Sequence, residues 1–260
     1  MRNSTPEIST ADRRAQIIVT LDEKGQVDVQ ELSDYFMVSP VTIRNDLSYL
    51  EEKNLLYRTR GGAIKQTKVA MDLAFSEKAR KNSDQKKRIG MKAAELVHEG
   101  DTIILDSGTT TMEIAKCIKG LRNLTVITHA LNIASELAGV DGIEIIMPGG
   151  ILRNKSFSLV GSQAEQNLRN FFCDKLFLGV DGLDPAYGIS TPCASEAQLN
   201  RVMAEISTEV IVVADSSKFG KRSLALILPV NKIDKVITDQ DITEEEKQKW
   251  VTQNVEIITA

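Results

Sequence analysis

Three groups of residues carry side chains and spacings suited to recognition chemistry. The first is Ser39-Pro40 followed by Val41, Thr42, Arg44, Asn45 and Ser48. Ser at a helix cap and Pro at the first helical position mark a start: the hydroxyl accepts a backbone N–H that the helix leaves free, and Pro has none to lose. At ~100° per residue Ile43, Leu47 and Leu50 turn inward, and the outer face carries Val41, Arg44, Asn45 and Ser48 with Thr42 at its edge. Such a set can read base edges, Asn on adenine, Arg on guanine or phosphate, an apolar carbon on the thymine methyl. The second group is Leu56-Tyr57-Arg58-Thr59-Arg60 before Gly61-Gly62. Alternation puts Arg58 and Arg60 on one face of a strand, and the glycines make the turn of a basic hairpin suited to phosphate contact. The third is Asp106-Ser107-Gly108-Thr109-Thr110-Thr111, between a strand and a helix. Hydroxyls and free N–H groups at a helix N-terminus attract phosphate, although such a cluster also suits an ordinary capped helix start.

The elements that must position these groups follow from periodicity. Asp12–Asp22 carries Ile17, Ile18 and Leu21 at helical spacing before Gly25, and Val29, Leu32 and Phe36 mark a second short helix. With the Ser39-Pro40 helix, running to about Lys53, this is a helix-turn-helix, whose second motif helix enters the DNA major groove. Asp46 falls near the inward edge of that helix and is expected to pair with a nearby Arg. From Ile89 strands and helices alternate: strands over 102–105, 124–128, 143–147, 175–179, 209–214 and 235–238, helices over 110–118, 132–137, 162–170, 195–206 and 244–252. This pattern predicts a mostly parallel sheet with ligands at the carboxyl ends of its strands. Polar clusters stand at those ends: Thr128-His129, Pro148-Gly149-Gly150, Asp181-Gly182-Leu183-Asp184 and Asp215-Ser216-Ser217-Lys218. His129 reads as a hydrogen-bonded structural histidine. The expected organisation is a winged helix-turn-helix over 1–62, a linker over 63–88, and an α/β domain over 89–260.

Composition narrows the function classes. The chain has 260 residues, 32 Lys+Arg against 36 Asp+Glu, and 42% hydrophobic residues, an ordinary globular composition. The net charge of −4 hides an asymmetry, since residues 1–90 hold 16 basic and 13 acidic side chains, net +3, and the remainder is net −7. Lys53, Arg58, Arg60, Lys65 and Lys68 form a run without an acidic residue, a local basic patch beside the third helix. The longest apolar run, Leu224 to Val230, contains Pro229, and the polar N-terminus lacks the pattern of a secretion signal, so a cytoplasmic protein without membrane spans is expected. Cys117, Cys173 and Cys193 stand far apart, and there are only two histidines; neither a disulfide framework nor a thiolate or histidine metal cluster is expected. Neither G-x-x-x-x-G-K-[ST] nor G-x-G-x-x-G occurs, and no cofactor is expected.

The run Arg13-x3-Ile17-x3-Leu21, then Ser39-x2-Thr42-Ile43-Arg44-Asn45-Asp46-Leu47 and the Gly-Gly wing, closely resembles the helix-turn-helix signature of the DeoR/GlpR family of bacterial transcriptional regulators. The strand-end clusters resemble that family's effector domain, related to ribose-5-phosphate isomerases, and the likeness covers essentially the whole chain. It implies operator DNA and a phosphorylated sugar as partners, a homodimer or homotetramer, and release from DNA by the sugar. The DNA-binding set is then Ser39, Val41, Thr42, Arg44, Asn45, Ser48, Arg58 and Arg60. The phosphate is implied near Ser107, Gly108, Thr109 and Thr110, with further effector contacts from Asp106, Thr128, Gly149, Gly150, Asp181, Glu196 and Lys218. Ser162-Gln163-Ala164-Glu165-Gln166, Glu196-Ala197 and Leu199-Asn200-Arg201 resemble most the regulators of N-acetylgalactosamine or galactosamine use. An isomerase carrying a DNA-binding segment is the alternative. However, the Lys-Gly-rich loop that follows the Asp-Gly-x-Asp turn in the isomerases is here Gly188-Ile189-Ser190-Thr191-Pro192, and no enzyme is expected.

Overall fold

The computed structural model describes residues 8–53, 55–59, 61–65 and 72–260. The chain divides into two compact units, 1–68 and 69–260.

The first unit holds helices α1 (Thr10–Lys24), α2 (Val29–Phe36) and α3 (Pro40–Glu52), with strands β1 (Gln26–Asp28), β2 (Leu56–Arg58) and β3 (Gly62–Lys65). Each helix begins on a side-chain cap: Ser9 accepts the Asp12 N–H, Asp28 those of Gln30 and Glu31, and Ser39 that of Thr42. Ile17, Leu21, Leu32, Phe36, Ile43, Leu47 and Leu50 interlock as one core. The sheet has the order β1-β3-β2 and is antiparallel. Gly62 pairs opposite Asp28, where an added Cβ would stand 1.8 Å from the Val27 carbonyl oxygen, so that pairing requires glycine. The break read at Gly25 is therefore followed by a third strand of the wing. Asp46 is the expected structural residue: it is 2% exposed and accepts from Arg13 Nε (2.6 Å) and Arg14 Nε (2.7 Å).

The second unit opens with α4 (Phe75–Arg80) and α5 (Ser83–Ala94). A seven-stranded sheet follows, built from β4 (Thr102–Leu105), β5 (Leu124–Thr128), β6 (Ile143–Ile146), β9 (Cys173–Gly179), β12 (Ser207–Val213), β14 (Lys235–Thr238) and β15 (Glu256–Thr259). Its order is β15-β14-β12-β9-β4-β5-β6, and every pairing is parallel. Period-two alternation divides the strands between two cores. Ile103, Leu105, Val126, Phe177, Ile211 and Val213 face α5, α6 (Thr109–Cys117) and α7 (Leu131–Leu137). Ile104, Ile127, Leu176, Leu178 and Val212 share the other core with α8 (Ser162–Leu168), α9 (Ala194–Glu205) and Trp250 of α10 (Glu244–Val251). Two small antiparallel sheets are added. One is the hairpin β7 (Ile151–Arg153) with β8 (Ser158–Val160); the other is β10 (Gly182–Asp184), β11 (Gly188–Thr191) and β13 (Ala225–Leu228).

The division departs from the expected 1–62, 63–88 and 89–260. Residues 62–65 are a paired strand of the first unit. The charged run before Ile89 is α5, whose Lys86, Ile89, Gly90 and Ala93 form the buried stripe.

Candidate nucleic-acid interface and anion crevice

On α3, Val41, Arg44 and Asn45 are exposed, Val41 to 61%. Ser39 is committed to the helix cap and also bonds Thr42 Oγ1 (2.9 Å). Ser48 donates to the Arg44 carbonyl (2.8 Å) and accepts from Arg58 Nη1 (2.8 Å), which fastens the wing arginine to the third helix. Arg58 itself stays exposed; Arg60 lies outside the described residues. Arg14 stacks 3.8 Å over the Tyr49 ring while pairing with Asp46, so α1 fixes the roll of α3 and hence the direction of Arg44 and Asn45.

In the second unit, β4, β5 and β6 succeed one another to one side, and the chain then returns to the other side of β4 with β9. The carboxyl ends of β4 and β9 thus flank a topological switch point, where parallel sheets open a crevice. Asp106 leaves β4 there, 3% exposed. Its Oδ2 accepts the Gly179 N–H (3.1 Å), and its Oδ1 meets His129 Nε2 (2.9 Å). With the Asn200 amide turned so that its NH2 group donates, it reaches Asp106 Oδ1 (3.3 Å) and the Glu196 carbonyl (3.1 Å). His129 Nδ1–H donates to the Leu159 carbonyl (3.1 Å). Burial pushes the Asp106 carboxyl up. The same burial opposes charge on His129, but the hydrogen bond and charge of Asp106 outweigh it and raise the imidazole. His129 Nε2 also meets the Ser107 N–H (3.1 Å), which ties the start of the phosphate-type loop to the same pair.

Asp106 and Thr128, both expected among the effector contacts, have partners inside the fold. The two oxygens of Asp106 join β4 to β5 and β9. Thr128 is fully buried, donating to the Leu105 carbonyl (2.7 Å) and accepting the Ala130 N–H (3.1 Å); it ties neighbouring strand ends. Gly150 has φ +116°, and a Cβ there would lie 2.7 Å from the Val160 carbonyl oxygen, so its glycine is required by packing against β8. Gly149 is half-buried with open space around it.

The other expected residues sit around the opening. Ser107 and Gly108 are half-buried, Thr109 and Thr110 are 9% and 6% exposed, and no side chain caps the N-terminus of α6 among the described residues. Glu196 is 8% exposed, its Oε1 accepting from Ser156 (2.5 Å), Ser158 (2.8 Å) and Arg153 (3.2 Å). Asp181 pairs with Lys78 (2.7 Å) and Lys218 (3.4 Å). Burial alone would raise the Asp181 carboxyl, but Lys218 and Lys78 outweigh it and hold it below the usual carboxylate range.

Sequence reasoning missed four participants. Lys78 reaches Asp181 from α4. Lys86, 5% exposed, donates to the Lys78 and Lys81 carbonyls (2.5 and 2.6 Å). Burial, aided by Lys218 and Lys78, lowers its pKa to about 8. Lys221 is also lowered to about 8, by burial and then Lys218 and Lys81. Lys86 left a signal, because it precedes Ile89 and Ala93 by three and seven positions and so lies on the inward stripe of a helix. Arg153, on a three-residue strand, left none.

Two family models match the chain: a DeoR-like helix-turn-helix domain over residues 13–69 and a DeoR C terminal sensor domain over 81–240. The chain is 41% identical, over 96% of its length and 93% of the relative's, to the protein named "Putative aga operon transcriptional repressor" in Escherichia coli O157:H7. It is 38% identical to the transcriptional repressor AccR of Agrobacterium fabrum, over 95% and 98% of the two chains. To the glycerol-3-phosphate regulon repressor of Escherichia coli K12 it is 32% identical, over 87% and 90%. Among solved structures, ribose 5-phosphate isomerase A of Methanocaldococcus jannaschii aligns with a TM-score of 0.40 at 16% identity, over 53% of this chain and 55% of that one.

Proposed function

The chain belongs to the DeoR family of DNA-binding transcriptional regulators, and from that premise we propose that it represses a carbohydrate operon until a phosphorylated sugar, of the amino-sugar class, occupies the crevice of its second unit. It is a regulator and not an enzyme, as the names of its full-length relatives have it. The observation that carries the effector reading is the charge around Asp181 and Asp215. Lys78, Lys81, Lys86, Lys218 and Lys221 crowd these two carboxylates, and Gly179, two residues before Asp181, lies against Gly108 at the uncapped start of α6. Burying Lys86 charged is unfavourable, and a phosphate dianion offsets that cost while accepting the free N–H groups of α6. Glu196, fixed through one oxygen by three donors, suits a sugar hydroxyl or amino group. In this reading Asp106 and Thr128 shape the crevice from behind and do not touch the sugar.

On DNA, Val41, Arg44 and Asn45 are assigned to base edges in the major groove and Arg58 to phosphate. Reading symmetric half-sites requires at least a homodimer, and a homodimer or homotetramer is proposed. Exposed Ile151, Leu152, Phe157 and Phe172, the last 91% exposed, are apolar surface suited to such contacts. A cytoplasmic location is part of the proposal; among the described residues no helix is long and apolar enough to cross a membrane.

The test is a thermal-shift series with N-acetylgalactosamine 6-phosphate, galactosamine 6-phosphate, glucose 6-phosphate and ribose 5-phosphate. A sugar at 100-fold its dissociation constant stabilises the folded state by about 2.7 kcal/mol, several degrees for a domain of this size. The stabilising sugar should also lower operator affinity. If none of the four shifts melting, the effector reading falls while the DNA-binding assignment stands.

A further inference from the structure

Asp72 and Phe75 are among the first described residues of the second unit, directly after the chain has left the DNA-binding unit. They are fastened to one place, the β7–β8 hairpin. The Asp72 carboxylate pairs with Arg153 Nη2 and with Lys155 (3.3 Å). The Phe75 N–H donates to the Lys155 carbonyl (2.8 Å), and the Phe75 ring stands edge-on to Phe157 with centroids 5.8 Å apart. That hairpin also forms the wall of the crevice. Ser156 and Ser158 hold Glu196 Oε1, and the Leu131 and Leu159 N–H groups tie the hairpin to the His129–Leu131 turn. Arg153 joins the two sides. One guanidinium nitrogen serves Glu196 (3.2 Å) and Ser156 (2.9 Å), and the other serves Asp72.

We propose that Arg153 and Asp72 are coupling residues, through which occupancy of the crevice at Glu196 is passed to the segment leading from the DNA-binding unit. The inference rests on the effector reading above. Glu196 is the part of the crevice that a sugar hydroxyl or amino group would engage. A donor drawn to the Glu196 oxygen that Arg153 and the serines do not engage shifts the carboxylate against the Oε1 bond to Arg153 Nη1, and the planar fork of Arg153 cannot reorient toward one carboxylate without changing its bond to the other. The Glu196–Arg153–Asp72 chain thus has the two alternative arrangements that coupling between sites requires. Asp72 itself is bonded to Arg153 and Lys155, so its removal leaves the crevice donors and acceptors in place.

The experiment uses the full chain and two variants, D72N and R153K. The first keeps the shape and removes the charge; the second keeps the charge and removes the fork. Operator affinity is measured with and without saturating N-acetylgalactosamine 6-phosphate, with galactosamine 6-phosphate and ribose 5-phosphate in parallel. Sugar affinity is measured without DNA by calorimetry. The parent ratio of operator affinities is expected in the usual range for coupled sites, about 5–150-fold. D72N and R153K should bring it to within about threefold of one, and D72N should keep parental melting and parental sugar affinity within about threefold. A parental ratio in D72N overturns the inference and leaves the effector reading intact. A loss of sugar affinity beyond about tenfold in D72N also overturns it, because Asp72 would then belong to the binding site. If the parent binds none of the four sugar phosphates of the thermal-shift series, the effector reading fails and the inference fails with it. Should R153K not fold, D72N alone decides.

Discussion

Raising the pH from 7 to 9 should weaken effector binding about tenfold for each buried lysine that must be charged. Lys86 is the sharpest case, with a pKa lowered to about 8 chiefly by burial. Such a group is about nine-tenths protonated at pH 7 and about one-tenth at pH 9, so affinity for a phosphate that needs the ammonium falls about tenfold. Lys221, also about 8, raises the loss toward about a hundredfold if its charge is needed as well. The ligand does not confuse the result: a phosphate monoester has its second pKa near 6 and stays dianionic across the window, and an N-acetylated sugar has no titrating amine. The apo protein should respond in the opposite sense. Because the folded-state pKa of Lys86 lies below its unfolded value of 10.5, the unfolded chain binds more protons between about pH 8 and 10.5, and this residue's contribution to stability rises with pH there. The assay is calorimetric titration with N-acetylgalactosamine 6-phosphate at pH 7, 8 and 9 and constant ionic strength, with apo melting followed in parallel. K86Q keeps an N–H donor for the Lys78 and Lys81 carbonyls and removes the charge. It should bind more weakly at pH 7 and show a slope reduced by one lysine. Affinity that does not change between pH 7 and 9, or a K86Q slope equal to that of the parent, would refute the assignment of Lys86 to the phosphate.

Other perturbations separate contact from scaffold. R44A and N45A should each cost about 1–3 kcal/mol at the operator and much less on random DNA; unchanged operator-to-random ratios in both would remove α3 from the groove. R58A should weaken both kinds of DNA alike and reduce the salt-dependence slope by about one, as loss of a phosphate contact does, a result read from binding at several salt concentrations. D46A leaves Arg13 buried without its carboxylate and should destabilise the first unit by about 3–5 kcal/mol, measured as a lowered first unfolding transition. D106A should lower melting of the second unit in the absence of any sugar, since it removes the partner of His129 and Gly179; unchanged melting together with lost sugar affinity would return Asp106 to the ligand.

The sequence by itself determined what local periodicity encodes. The stripe Ile43, Leu47, Leu50 sets the inner face of α3 and therefore its outer one, and Ser39-Pro40 sets its start, so Arg44 and Asn45 are found exposed as read. Three of the six expected strands, 102–105, 124–128 and 235–238, have their expected bounds because apolar runs between turn residues have few alternatives. The expectation that Asp46 pairs with a nearby Arg also followed from its place at the inward edge of α3, and Arg13, thirty-three residues away, is its partner. Only the tertiary structure decided how the polar strand ends divide their work. Asp106, Asp181 and Glu196 are equivalent in sequence as carboxylates after a strand or at a helix start. They differ by neighbours far along the chain: Gly179 and His129 consume the first, Lys78 and Lys218 neutralise the second, and Arg153 and two serines leave the third with one oxygen not engaged by them. Burial and partner charge are properties of the packed sheet, in which residues separated by more than a hundred positions meet, as Lys78 and Asp181 do. Helical or strand periodicity reaches only a few residues, and this is why the lysines of α4 and α5 read as a linker until the fold turned them inward.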